Sequence, residues 1–552
     1  MKAIRLIGLA LLAGALGCDL EVTNVNNPDR TTVVKSSQDV LALISNGLLQ
    51  WFNRSGSTSP GVALSVMADE FSTGFADFGG QDLSKEPREA INNGVPPNNA
   101  PPHHVTWPDY YANIAGLNTA LQAISKYNLE LASSGGADIT VESHAFAKMA
   151  QGLNHGYVAL MFDQGYIYSE SVETDTLRFS GGNQGVQNLL RSYTEVMDTA
   201  LAELNAALTL ATSKTFTLPN VPNQWFLGVA RTNTEMAAII HTYMARLMAY
   251  NARNPAERQA VDWNAVIQHI DAGIKSDFFV TGTPGVVQSL FKNRAARLRT
   301  TTPGDFMRVD MRVVGPADQG PGFQAWWAAP WANRNPFRMT NVQDRRIDGY
   351  TGTRPATCQP NNAATSCGLY MGHHNTTVFA IDRGLGQRSF YFFHRYGFGT
   401  SYQLGPIPIV NVAEMDLLKA EGLIRLGRAA EAIPLINKYR VTNGQLPAVD
   451  INGVPGTAPD CTPRKMNGAC GSLWDALWYE KRIETLGLEG GPAFYDARAW
   501  GFLVQGTPIH FPVPQRDAQL LQIQNYTFGG SQPDAAPAPN WEKCPVALPR
   551  CP

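Results

Sequence analysis

Charge is what this sequence has little of. Asp, Glu, Lys and Arg make up 16% of its 552 residues, against about 25% in ordinary soluble domains. The formal net charge is -2 and no basic run occurs, so nothing marks a nucleic-acid partner. After residue 16 no stretch approaches 18 uncharged apolar residues, the length a membrane-spanning helix needs. Catalytic and cofactor signatures are missing too. There is no His-Glu-x-x-His, no P-loop, no Gly-x-Ser-x-Gly and no dinucleotide fingerprint. No Cys-x-x-Cys spacing occurs, which argues against a structural zinc site. Gly, Pro, Asn and Trp fill the place of charge, a composition suited to neutral, hydroxylated ligands.

The start of the chain is informative. Lys2 and Arg5 precede an apolar stretch over residues 6–16, then Gly17 and Cys18, and the chain turns polar at once. This is a secretory signal over 1–17, too short to span a bilayer stably. Cys18 stands where a lipoprotein's first mature residue takes its lipid, a palmitate-bearing anchor, although Ala15 and Gly17 also suit ordinary signal cleavage. Residues 18–35 read as an extended tether. Six further cysteines fall into local pairs, Cys358 with Cys367, Cys461 with Cys470 and Cys544 with Cys551. Short-range disulfides are the simplest reading among 15 connectivities, and they imply an oxidising compartment.

Apolar spacing predicts helices over 36–53, 109–126, 141–162, 186–210, 233–250 and 262–275. Ala145, Ala200, Ala237 and Ala245 occupy stripe positions, and small residues there let helices approach closely. Residues 76–108 read as a long loop. Residues 276–410 lose the helical period and form an irregular insert, with β-prone pieces at Val378–Ile381 and Ser389–His394. Helices return over 411–426, 429–440 (kinked at Pro434) and 473–489. The pattern is a mostly α, TPR-like stack of helical hairpins, with one domain over 36–528, helical about 109–275 and 411–490, and a Pro-rich tail over 529–552.

Candidate binding residues are aromatic. Trp326, Trp327 and Trp331 lie in a Gly- and Pro-flanked segment beside Asn333, Arg334 and Asn335. Sugar C–H faces stack on such rings, while amides and guanidinium groups bind hydroxyls. The competing reading is that these tryptophans plug the insert onto the helices, since Trp is buried on average. Trp107, with Tyr110 and Tyr111, is a second candidate. Glu480, Arg482, Glu484 and Glu489 have spacing that acid–base chemistry could use. The i,i+4 pair Glu480 and Glu484 calls for cationic neighbours, so a helix surface laced with ion pairs, with a buried structural Arg, is preferred. Asp69, Glu70 and Asp77 read as a solvated turn. The adjacent pairs His103-His104 and His373-His374 point to opposite faces in extended chain, which does not suit one metal.

Three stretches together resemble the SusD/RagB family of nutrient-binding outer-membrane lipoproteins. The first is Cys18-Asp19-Leu20-Glu21-Val22-Thr23-Asn24. The second runs from Glu414 through Leu417, Ala420 and Glu421 to Gly422, similar to the family's Glu-x-x-Leu-x-x-Ala-Glu-Ala helix, with a partner helix ending Asn437-Lys438-Tyr439-Arg440. The third runs from Tyr479-Glu480-Lys481-Arg482 through Glu484 and Gly490 to Asp496 and Arg498, and closes at Phe511-Pro512-Val513-Pro514-Gln515. The resemblance implies a SusD-like stack of TPR-like hairpins with an irregular ligand-facing part, and a binding protein that is not an enzyme and needs no cofactor. It implies a lipid-anchored position at the outer membrane, on the cell surface. It further implies a SusC-like TonB-dependent transporter as partner and an oligosaccharide, or alternatively a peptide, as ligand. A TPR-like protein-interaction scaffold of the cell envelope is the other reading.

Overall fold

The computed structural model describes residues 36–53, 61–73, 79–94, 102–172, 182–283, 286, 307–350, 364–374, 386–396, 405–488 and 490–530. The expectations for residues 1–35, Cys18 included, for Asp77, Cys358, Glu489, Cys544 and Cys551, and for Val378–Ile381 fall outside those residues.

The first predicted helix divides into α1 (Ser37–Ser45) and α2 (Gly47–Phe52). The Ser36 hydroxyl caps α1 by accepting from the Asp39 N–H, which satisfies one of the first-turn donors. Helix α3 (Pro102–Ser125) begins well before residue 109 and runs through Pro108. The expected long loop is therefore partly helical, with a further short helix at Gly80–Ser84. The sequence reads residues 76–108 as loop because Gly, Pro and Asn crowd them. Yet a proline opening a helix gives up only an N–H that has no intrahelical partner, and buried His103, Thr106, Trp107 and Tyr110 hold the first turns against the core.

Helix α4 (Thr140–Met161) agrees with the spacing. The single helix expected over 186–210 does not form. The segment instead makes α5 (Gly182–Gln187), a short strand and then α6 (Tyr193–Ser213). Ser192 restarts the helix through a capping box: its hydroxyl accepts from the Glu195 N–H while Glu195 accepts from the Ser192 N–H. Just before it, β2 (Leu190–Ser192) pairs antiparallel with β1 (Gln164–Tyr166). Helices α7 (Asn233–Tyr250) and α8 (Trp263–Ala272) follow as expected.

Small residues set the helix spacing. A Cβ on Gly152 of α4 would come within 2.8 Å of the Leu204 side chain and 2.9 Å of the Ala200 carbonyl on α6. One turn on, a Cβ on Gly156 would meet Leu247 of α7 at 2.6 Å. Two neighbouring helices are thus drawn onto one face of α4.

The insert leaves and returns at one place. Strand β3 (Phe278–Gly282) lies at its start. Within it, β4 (Ala364–Cys367), β5 (Met371–His374) and β6 (Tyr391–Phe393) form an antiparallel sheet. Strand β7 (Gly405–Val410) then pairs antiparallel with β3, Gly405 opposite Gly282 and Val410 opposite Phe278. The helical array therefore closes under the insert. Helix α10 (Val412–Arg425) packs on α8, where a Cβ on Gly422 would come within 2.8 Å of the Trp263 ring. The Trp326 segment, expected as loop, is helical as α9 (Gly322–Ala328), and Trp331 lies on a following 3-10 turn.

Helix α11 (Ala429–Thr442) completes a hairpin with α10 and continues through Pro434. Helices α12 (Leu473–Glu484), α13 (Pro492–Trp500) and α14 (Gln515–Leu521) end the fold. One large apolar cluster fills the helical stack, and a second lies between the insert, Val62 and Phe71, and α12. Helix α12 belongs to both: Leu477 and Trp478 face the first, Tyr479 and Ile483 the second. It has almost no solvent face, so its charges must be paired inside the protein. A disulfide joins Cys461 to Cys470, and Cys367 is also disulfide-bonded.

Candidate ligand-binding site

A cleft of about 390 Å³ opens where four segments meet. Trp107 and Tyr111, four residues apart, share one face of α3. Tyr166 ends β1, and Tyr168 follows two residues later on the same side of the extended chain. Val186 and Leu189, from and just after α5, form an apolar wall, and Asp517 enters from the first turn of α14.

The rings hold one another edge to face. The centroids of Trp107 and Tyr111 are 4.9 Å apart, those of Trp107 and Tyr166 5.4 Å, and those of Tyr111 and Tyr166 5.1 Å, with interplanar angles of 63° to 67°. The Tyr111 hydroxyl accepts from the Tyr166 N–H at 2.6 Å, which fastens β1 to α3. Gln187 donates to the Leu521 carbonyl and ties α5 to α14 across the cleft. Behind α14, the Val513 N–H donates to the Tyr526 hydroxyl at 3.1 Å, and that hydroxyl donates to Asp163. These ties position the walls before any ligand arrives, which lowers the ordering cost of binding.

Trp107 is buried to 1% exposure, whereas Tyr111, Tyr166 and Tyr168 are half-buried. Trp107 is therefore the floor and the tyrosines the walls. Burial raises the pKa of the Asp517 carboxyl, against the opposing pull of the Trp107 indole N–H and of Arg516. The Tyr166 phenol is pushed up by burial and by the neighbouring Asp517.

The other aromatic candidates lie elsewhere. Trp326 is buried in the insert's cluster, and its indole N–H donates to the Gly386 carbonyl at 3.0 Å. Arg334 is also buried. It lies 4.8 Å from the Trp326 ring centroid, and its donors go to the Ala329 and Trp327 carbonyls and to Glu86. Its fork is engaged inside the protein. Trp327 and Trp331 are half-buried and Asn333 and Asn335 exposed. The recess beside Trp327 measures about 20 Å³, room for about one water. The structure thus brings Trp326, Trp327 and Arg334 together as packing, and it unites Trp107 and Tyr111 with residues the sequence did not single out. Tyr110, next to Tyr111, faces the core at 0% exposure. Tyr166 and Tyr168 carried a faint signal, an alternating aromatic pair after a long helix. Asp517 carried none.

The acidic groups singled out in the sequence are structural. Arg346, from the insert, pairs with Asp344 at 2.7 Å, with Glu484 at 3.0 Å and with Glu480, while Arg440 adds to Glu480 and Arg395 to Glu484. Glu480 and Glu484 do obtain cationic neighbours, but in the interior rather than on a helix surface. Arg482 donates to the Ala68 and Asp69 carbonyls. Asp69 and Glu70 are not a solvated turn: Asp69 pairs with Arg88 at 2.6 Å, and both acids are buried. The reason is that Val62, Val66 and Phe71 on either side enter the insert's core and carry the acids inward. His103 and His104 lie on helix α3, not in extended chain, and His103 Nε2 is 3.0 Å from Asn93 Oδ1. Among the described residues, no group of three or more His, Cys, Asp or Glu side chains could hold a metal ion. None of the described helices is long and apolar enough to cross a membrane.

No family model and no curated protein matches the chain. Solved structures do. A SusD superfamily protein from Bacteroides vulgatus ATCC 8482 matches with a TM-score of 0.53 at 14% identity, covering 88% of this chain and 97% of its own. A SusD superfamily protein from Bacteroides fragilis gives 0.51 at 14% identity, covering 90% and 100%. A SusD-like carbohydrate binding protein from Bacteroides fragilis NCTC 9343 gives 0.50 at 12% identity, covering 86% and 88%. The chain has the SusD-like fold, mostly helical and TPR-like, over nearly its whole described length.

Proposed function

We propose that this chain is a SusD-type nutrient-binding lipoprotein. It is anchored through Cys18 in the outer membrane at the cell surface, and it captures oligosaccharide in the Trp107 cleft for a SusC-like TonB-dependent transporter. The observation that carries the reading is a preformed aromatic cleft of small-molecule size on a SusD-like fold. One of the proteins sharing that fold is described as carbohydrate binding. The reading of a binder rather than a hydrolase draws support from Glu480 and Glu484. These carboxylates are ion-paired to Arg346 at 0% exposure, away from the cleft.

The test is a pull-down from detergent-solubilised outer membrane with the full-length protein as bait. It is joined to calorimetric titration of the soluble protein with oligosaccharides. Recovery of a large β-barrel protein, together with binding that Tyr168→Ala weakens at least tenfold, is the expected result. If no barrel is recovered under mild conditions, the transporter role fails. If oligosaccharides bind Tyr168→Ala as well as the parent, the cleft is not the site.

A further inference from the structure

The cleft's chemistry is lopsided. Among the described residues that line it, Asp517 is the one charged side chain, and no Asn, Gln, Arg or Lys lines it. A neutral sugar is held by stacking on an open ring face and by planar amide or guanidinium forks that read its hydroxyls. Here the forks are missing from the lining. The Tyr111 hydroxyl is already engaged with the Tyr166 backbone, as acceptor at 2.6 Å and as donor at 3.3 Å.

The ring planes are also wrong for one broad platform. Trp107, Tyr111 and Tyr166 pack edge to face at 63° to 67°, so they touch one another and offer no single broad platform. Several inclined aromatic faces beside one carboxylate are the arrangement that attracts a cation. Tyr166, Tyr168 and the Asp517 carboxylate line the same cleft, where ring quadrupole and carboxylate charge both favour a cation and the partly buried walls strengthen the attraction. Burial disfavours the charged form of Asp517, and a bound cation would restore it.

We propose that the cleft selects a ligand carrying a primary ammonium group, an amino-sugar oligosaccharide, whose ammonium sits beside the half-buried Tyr166 and Tyr168 against the Asp517 carboxylate. This deepens the oligosaccharide reading and rests on it. The volume of about 390 Å³ has room for a pyranose ring carrying the amine. The ring's C–H faces pack on the tyrosines while the amine meets the acid.

The test is calorimetric titration of the soluble protein with four probes: a glucosamine tetramer, its N-acetylated counterpart, an uncharged glucose tetramer and a lysine-containing peptide. The expected result is that the glucosamine tetramer binds about tenfold more tightly than either neutral tetramer. In Asp517→Asn that ratio falls to near one. Circular dichroism checks that the variant is folded, and Tyr168→Ala provides a second variant whose glucosamine affinity also falls. Equal binding of charged and neutral tetramers at the cleft overturns the inference and leaves the oligosaccharide reading standing. Preference for the peptide, lost in Asp517→Asn, overturns the amino-sugar assignment. Binding of none of the tetramers overturns the oligosaccharide reading and this inference together.

Discussion

Arg246 and Glu414, 168 residues apart in the chain, form a two-pronged ion pair in the interior. Nε donates to Oε1 at 2.8 Å and Nη2 to Oε2 at 2.6 Å. Their side chains are 1% and 0% exposed. Arg246 Nη1 donates to the Tyr157 hydroxyl at 3.0 Å, and the Tyr250 hydroxyl donates to Glu414 at 3.0 Å. Two turns along α10, Glu421 receives Arg258 at 2.7 Å and Lys481 at 2.8 Å, and both cations also reach Asp496. The Glu-x-x-Leu-x-x-Ala-Glu pattern is thus a pair of buried anchors. They join the helices before the insert to those after it.

Removing one partner of such a pair strands a charge. Glu414→Leu is expected to cost about 3–5 kcal/mol, whereas the double variant Arg246→Met with Glu414→Leu should recover most of that loss, because no unpaired charge remains. Urea unfolding of the three proteins measures it. A double variant less stable than Glu414→Leu alone would contradict the argument.

Two buried carboxyls give stability a pH dependence. Burial raises Glu70 to about 7, against the Ser65 hydroxyl and Arg482, and raises Asp310 to about 7, against Arg312. In the unfolded chain both ionise near pH 4. The native state therefore holds extra protons between about pH 4 and 7. Their contribution is full below the unfolded value and is lost as pH rises through 7. Buried histidines such as His103 and His510, whose pKa is lowered by burial, act the other way: their contribution is lost as pH falls below about 6.5. The comparison of Glu70→Gln with the parent isolates the carboxyl. Gln is expected to gain on Glu by up to about 3 kcal/mol between pH 5 and pH 8. A difference that is flat across that range would sink the assignment.

The close approach of α4 and α6 depends on Gly152. In an exposed helix, Gly→Ala gains about 1 kcal/mol. Here the new methyl meets the Ala200 carbonyl at 2.9 Å, a backbone atom that cannot swing away. Gly152→Ala is expected to lose about 1–3 kcal/mol instead, and a rise in melting temperature would show that the helices separate without cost.

Much of the scaffold was legible along the chain. Helices α4, α7, α8, α10 and α11 follow from the spacing of Leu, Met, Ala and Tyr, because a helix's buried face repeats every three to four residues and leaves a local trace. The ordered motifs near Glu414 and Glu480 pointed to the SusD-like fold before any packing was known. The start of α6 was also written locally, as Ser192 and Glu195, but the apolar spacing upstream of it masked the break.

What the tertiary structure alone decided is where burial falls. Trp326 and Trp107 look alike in sequence, both flanked by proline and by further aromatics. One lies within the insert's core with its N–H bonded to Gly386, and the other floors an open cleft. The spacing of Glu480 and Glu484 gives ion pairing but not its depth, which follows from α12 serving two cores. Asp517 joins Trp107 because Phe511 pairs with Phe162 and the Tyr526 hydroxyl donates to Asp163, contacts between segments far apart in the chain. Local periodicity records which face of a helix is buried. What comes to lie opposite that face depends on chain closure across the whole fold, and no local pattern encodes it.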